Sequence, residues 1–125
     1  MNKLLLNGII MALIMMAIAS CQYKFIVEPV TPPPPPGDTT SFSLEIVPIW
    51  EEQNCTGCHP GVSQPDLTAD NAYNSITQLG LVVAEDPDAS KIYFYPLPDG
   101  NHFAKYTSSQ AALIKYWIEE GAKNN

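Results

Sequence analysis

Apolar and polar positions divide the 125-residue chain into three stretches of different character. From Leu4 to Ala19 the chain is almost wholly apolar, interrupted only by Asn7 and Gly8, with Lys3 ahead of it and small residues at its end. A cation, a short apolar core and small closing residues have the form of an export signal, and the run is short for the roughly 20 residues a membrane-spanning helix needs. Gln22 to Thr40 contains Pro29, then Pro32 through Pro36 in succession and Gly37. That composition forms no packed core and favours polyproline II, a stiff tether of about 3.1 Å per residue. Beyond it, from Phe42 to Asn125, apolar residues return at helical spacing over a length that suits one small domain.

Within that domain the pattern predicts helices at both ends and shorter pieces between. Ser43 is positioned to cap a helix carrying Leu44, Ile46, Val47, Ile49 and Trp50 towards Cys55, with Pro48 early enough to kink it. A second start lies at Leu67-Thr68-Ala69-Asp70, with Thr68 as cap, Ala72, Tyr73, Ile76 and Leu79 on one face, and Gly80 as the stop. Glu85-Asp86-Pro87-Asp88 reads as a turn into a short helical piece with Ile92, Tyr93 and Phe94, after which Pro96, Pro98 and Gly100 enforce a loop. The last helix spans Thr107 to Glu120: Thr107-Ser108-Ser109-Gln110 fits a capping box, Leu113, Ile114, Trp117 and Ile118 form the apolar face, and Gly121 ends it. Trp117 on that face reads as core.

Candidate chemistry concentrates in Cys55-Thr56-Gly57-Cys58-His59. A CxxCH pentapeptide has the form of a c-type haem attachment site, with two thiols to bond the porphyrin edge and an imidazole to bind its iron. At about 100° per residue these three side chains fall within an arc of roughly 100°, so they face one object. CxxC alone also serves zinc sites and dithiol redox sites, and both alternatives stay open on the motif by itself. Cysteine arithmetic bears on them. Ile18-Ala19-Ser20-Cys21 looks like a bacterial lipobox, in which Cys21 becomes the lipidated first residue of an exported protein. With Cys21 given to lipid and Cys55 and Cys58 to haem, none of the three cysteines is left over.

The resulting expectation is a signal over residues 1–20, a lipidated cysteine and Pro-rich tether over 21–41, and a domain over 42–125. Gln22 after the cysteine, where an Asp would favour inner-membrane retention, points to the outer membrane facing the periplasm. Charge sets the partner class. Thirteen Asp and Glu oppose six Lys and no Arg, for a formal net charge of −7 that becomes more negative once Lys3 is removed with the signal. Nucleic acid is excluded as a partner, because phosphate binding draws on clustered Lys and Arg. A redox protein with a basic docking face is the partner such a surface suits.

The run Ser41 to Trp50, the motif Asn54 to His59, the segments Asp66-Leu67-Thr68 and Asp86 to Tyr93, and the closing Trp117-Ile118-Glu119-Glu120-Gly121-Ala122 together resemble the small single-haem cytochrome c domains of bacterial exported proteins. The resemblance covers nearly all of residues 42–125. It implies an all-α cytochrome c fold with crossing N- and C-terminal helices around one covalent haem c. Ile49, Trp50, Leu67, Leu97 and Trp117 become pocket or core candidates, and electron transfer becomes the expected activity rather than enzymic turnover. Cys55 and Cys58 become the thioether residues and His59 the proximal iron ligand.

Those domains commonly place a Met before the last helix as the sixth ligand. Here all four methionines, Met1, Met11, Met15 and Met16, lie in the predicted signal, and the corresponding loop offers His102, the one histidine besides His59. His102 is therefore the candidate distal ligand, and a second imidazole in place of Met implies a lower potential. Two further readings remain: a haem enzyme or gas-binding protein with an open sixth position, and a structural zinc module on Cys55, Cys58, His59 and His102. The His59 ring nitrogen away from iron needs an acceptor, with a carbonyl near Gly61 to Pro65 as the candidate.

Overall fold

The structure is a computed structural model that describes residues 2–18, 32, 38–61 and 63–125. Cys21 and nearly all of the Pro-rich stretch fall outside those residues. Among the described residues the chain is helical and contains no strand, so the all-α expectation holds. Helix α1 spans Lys3–Ile18, and no helix among the described residues is long and apolar enough to cross a membrane.

The packed domain opens with a π-helical turn, Phe42–Ile46, followed by α2, Val47–Glu52. The expected kink at Pro48 takes this form for a covalent reason. Pro48 has no N–H to return to the carbonyl of Leu44, so the bonding ahead of it slips by one residue. Ile46 N–H donates to the Ser41 carbonyl at 3.2 Å, and Val47 N–H reaches back to Phe42. Ser41, not Ser43, caps this turn: its hydroxyl accepts from Leu44 N–H, while the Ser43 hydroxyl donates to the Asn125 carbonyl at 2.9 Å.

The middle elements are short. Helix α3 is the single turn Cys55–Cys58, α4 spans Ala72–Gln78, and α5 is Lys91–Phe94. Thr68 does not cap α4 directly. Its hydroxyl donates to the Asp66 carboxylate at 2.6 Å, and the helix begins four residues later with Ala72 N–H donating to the Thr68 carbonyl. Gly80, at φ +61°, ends α4 as expected. Leu81 N–H donates to the Ile76 carbonyl and Gly80 N–H to Thr77, the paired bonds of a Schellman motif.

Helix α6, Ser108–Glu119, has both bonds of the expected capping box between Thr107 and Gln110. Gly121, at φ +98°, closes it with the same pair of bonds, Ala122 N–H to Trp117 and Gly121 N–H to Ile118.

The core lies where the entering segment packs on α6. Phe42 stands edge-on to Trp50, with ring centroids 5.7 Å apart, and to Tyr73 at 5.2 Å, and it meets Trp117 at 5.2 Å. Trp50, Trp117, Ile46, Ile76, Ile114 and Ile118 are fully buried around them. Such aromatic pairs contribute roughly 0.5–1.5 kcal/mol each beyond the area they bury. Trp117 is core, as expected, and its indole N–H donates to the Lys123 carbonyl. Thr40 is also buried, with its N–H donating to the Glu120 carboxylate at 2.7 Å, so packing against α6 begins at Thr40.

Candidate haem-binding cleft

The CxxCH segment forms one closed turn between two backbone irregularities. Asn54 adopts φ +55°, a left-handed conformation that Asn tolerates better than most residues, and it redirects the chain from α2 into α3. His59 N–H donates to the Cys55 carbonyl at 2.9 Å, which places the imidazole one turn above the Cys55 thiol. A Cβ at Gly57 would lie 2.8 Å from the Asn54 side-chain oxygen, so a larger residue there would make the exposed Asn54 side chain swing aside. The carbonyl of His59 in turn accepts from Leu67 N–H at 3.0 Å, and the next segment is held to α4 by Asp66 N–H donating to Ser75 Oγ at 2.8 Å.

A cleft of about 160 Å³, open on one side, lies against this turn. That is smaller than the roughly 300–1,000 Å³ typical of cofactor and ligand sites. Cys55 and His59 line it together with Pro65 and Leu67 from the following segment, Leu81, Ile92, Tyr95 and Pro96, and His102 and Tyr106 from the loop before the last helix. The lining is almost entirely apolar, with no Asp or Glu among the described residues that form it and Lys91 at its rim. Tyr106 presents its ring to the cleft while its hydroxyl is occupied on the buried side. That hydroxyl accepts from Trp50 Nε1 at 3.0 Å and donates to the Ile92 carbonyl at 2.9 Å. Burial drives its pKa well above the usual phenol value, so the group stays neutral.

His59 and His102 face one another, with ring centroids 6.2 Å apart and planes 25° from parallel. Two imidazoles sharing one metal, with about 2.0 Å to each ring nitrogen and a ring radius beyond it on each side, sum to about 6 Å between centroids. His102 rides on the loop 96–106, whose base is closed by Tyr106 N–H donating to the Pro96 carbonyl at 2.8 Å. Its Nδ1 lies 3.0 Å from the Ala104 carbonyl. A carbonyl only accepts, so Nδ1 carries the proton and Nε2 keeps its lone pair for another partner. His59 is different: its Nδ1 is buried with no hydrogen-bond partner among the described residues. A buried polar atom left in that state costs about 1–3 kcal/mol.

The two motif cysteines separate. Cys55 is buried at 7 % exposure and lines the cleft; Cys58 is exposed and does not line it. Neither is in a disulfide. Burial raises the Cys55 thiol pKa, which keeps it protonated at neutral pH. The structure thus brings Cys55, His59 and His102 to one cleft, leaves Cys58 exposed and outside its lining, and does not describe Cys21. Of the other candidates Leu67 lines the cleft, Ile49, Trp50 and Trp117 are core, and Leu97 packs partly buried against the core.

The residues present suit an apolar cofactor held by nitrogen ligands, on two observations: an almost wholly apolar lining and two imidazoles on that lining with ring centroids 6.2 Å apart. Among the described residues no three His, Cys, Asp or Glu side chains converge as a metal-binding group. Sequence reading did not single out Tyr106, Tyr95 or Lys91 for the site, since nothing local in the chain signals which non-motif residues the loops carry to a cleft. Comparison with protein-family models, with curated proteins and with solved structures gave no match.

Proposed function

We propose that the chain is an electron carrier of the small cytochrome c type: a lipid-anchored protein of the bacterial cell envelope, attached through Cys21 and held off the membrane by its Pro-rich tether. Cys55 and Cys58 would hold one haem c through two thioethers. His59 is the proximal and His102 the distal iron ligand. The observation that carries this reading is the opposition of the two imidazoles across an apolar cleft at 6.2 Å.

When bound, haem supplies a one-electron iron couple that needs no substrate. The protein residues supply the rest. Pro65, Leu67, Leu81 and Ile92 give the cleft an apolar lining. The Ala104 carbonyl fixes the His102 tautomer that leaves Nε2 free to ligate, and Trp50 and Ile92 turn the Tyr106 hydroxyl away from the site. Imidazole in place of Met favours oxidised iron and a lower potential. The acidic surface suits a partner with a basic face. A zinc site on Cys55, Cys58, His59 and His102 is less well supported, since no three of those groups converge.

The test is expression of the full chain in a bacterial host that attaches c-type haem. Expected are a mass gain of one haem that survives acidic organic extraction, loss of that gain in the Cys55→Ser/Cys58→Ser double variant, and a low-spin bis-imidazole magnetic spectrum. His102→Ala converts the spectrum to high spin. Unchanged low-spin iron in His102→Ala sinks the distal assignment, and absence of covalent haem sinks the reading as a whole.

A further inference from the structure

The chain carries thirteen Asp and Glu against six Lys, yet the described residues that line the cleft include no acid and one lysine, Lys91. Its position is fixed by its neighbours. Ser90, fully buried, accepts Val83 N–H at 2.8 Å on its hydroxyl and donates to the Asp86 carbonyl at 2.8 Å; Ile92, also buried, donates its N–H to the Leu81 carbonyl at 2.9 Å. Held between these two anchors, Lys91 begins α5 at the rim of the cleft with its side chain exposed. An ammonium gains nothing from an apolar wall, and a four-carbon stem lets it sit with its charge in water while covering apolar surface. A ligand that would use this arrangement has an apolar body and an anionic group at its edge.

We propose that Lys91 is the residue that pairs with a carboxylate of the cleft's ligand, which on the haem reading is a propionate at the cofactor's edge. The assignment rests on that reading. Other ionisable side chains on the cleft are Cys55, His59, Tyr95, His102 and Tyr106; Asp86 and Asp88 precede α5, and Asp99 and Lys105 follow it. Lys105 is engaged with the Gly100 carbonyl. Among the described residues, Lys91 is thus the cation available at the rim of the cleft.

The test separates charge recognition from packing with two probes, haemin and its dimethyl ester, in which both carboxylates are blocked. Each is titrated optically into the full chain carrying Cys55→Ser and Cys58→Ser, so that binding is reversible. Adding Lys91→Met is expected to weaken haemin about two- to fivefold, the range of an exposed ion pair. Lys91→Arg is expected to retain the affinity of the doubly substituted chain, Lys123→Met to change nothing, and ester affinity to be the same in all four chains. Equal loss for haemin and ester, or no loss for haemin, overturns the assignment. Failure of haemin to bind the doubly substituted chain also overturns it. Covalent attachment to the unsubstituted chain is measured separately, which keeps that failure distinct from failure of the haem reading.

Discussion

Tyr106 shows how much one side chain carries here. Its hydroxyl satisfies two buried groups from distant parts of the chain, the Trp50 indole N–H and the Ile92 carbonyl, and its ring forms a wall of the cleft. Tyr106→Phe leaves both groups without a partner in a dry site, so a loss of about 2–3 kcal/mol is expected by urea denaturation. Asp66 makes a pH-dependent contribution instead. Hydrogen bonds from the Thr68 hydroxyl and N–H hold its carboxyl below the ordinary value of 3.8. A folded-state pKa depressed in this way contributes stability above the unfolded value, and the contribution is lost as pH falls through the lowered one. Denaturation profiles are therefore expected to show Asp66→Asn less stable than wild type at pH 7, with the difference closing below about pH 4. The CxxCH residues were legible from the sequence because their spacing is local. Lys91 and Tyr106 were not, because their meaning depends on partners across the cleft.

At the scale of elements, the helices that matched expectation are those whose ends are written in a few adjacent residues. The Thr107–Gln110 box starts α6, and Gly80 and Gly121 stop α4 and α6. Those that departed did so because a side chain found a better partner elsewhere: Thr68 turned to Asp66, and Ser43 to the Asn125 carbonyl. The loop 96–106 decides where His102 sits, and Gly100 is its tight point. A Cβ there would lie 2.3 Å from the Tyr95 carbonyl oxygen and 2.9 Å from that of Phe94, both on the backbone at the end of α5. Gly100→Ala must push the loop away from α5. The expected result is destabilisation of roughly 1–3 kcal/mol together with a mixed high- and low-spin haem spectrum, as His102 is displaced from opposite His59. A fully low-spin spectrum at wild-type stability would show that the loop reaches its position without this contact.

The molecule as a whole is a small helical domain with an apolar cleft in its side. Its aromatic core at Phe42, Trp50 and Trp117 is complete without a ligand, while the cleft between His59 and His102 is not. Haem-loaded protein is accordingly expected to melt higher than the haem-free Cys55→Ser/Cys58→Ser variant, by circular dichroism. A difference of about 2–3 kcal/mol corresponds to roughly 10–20 °C for a domain of this size. Equal midpoints would mean that the cleft gains nothing from being filled. By itself the sequence determined the helical class, the capped last helix, the acidic charge and the CxxCH pentapeptide. Each of those follows from residue type and from spacing within a turn or two. Only the tertiary structure decided that Cys55 and not Cys58 lines the cleft, that the imidazoles of His59 and His102 oppose one another, and that a lysine stands at the rim. Those are relations between segments dozens of residues apart, and they exist only once burial of the core has fixed where each loop must run.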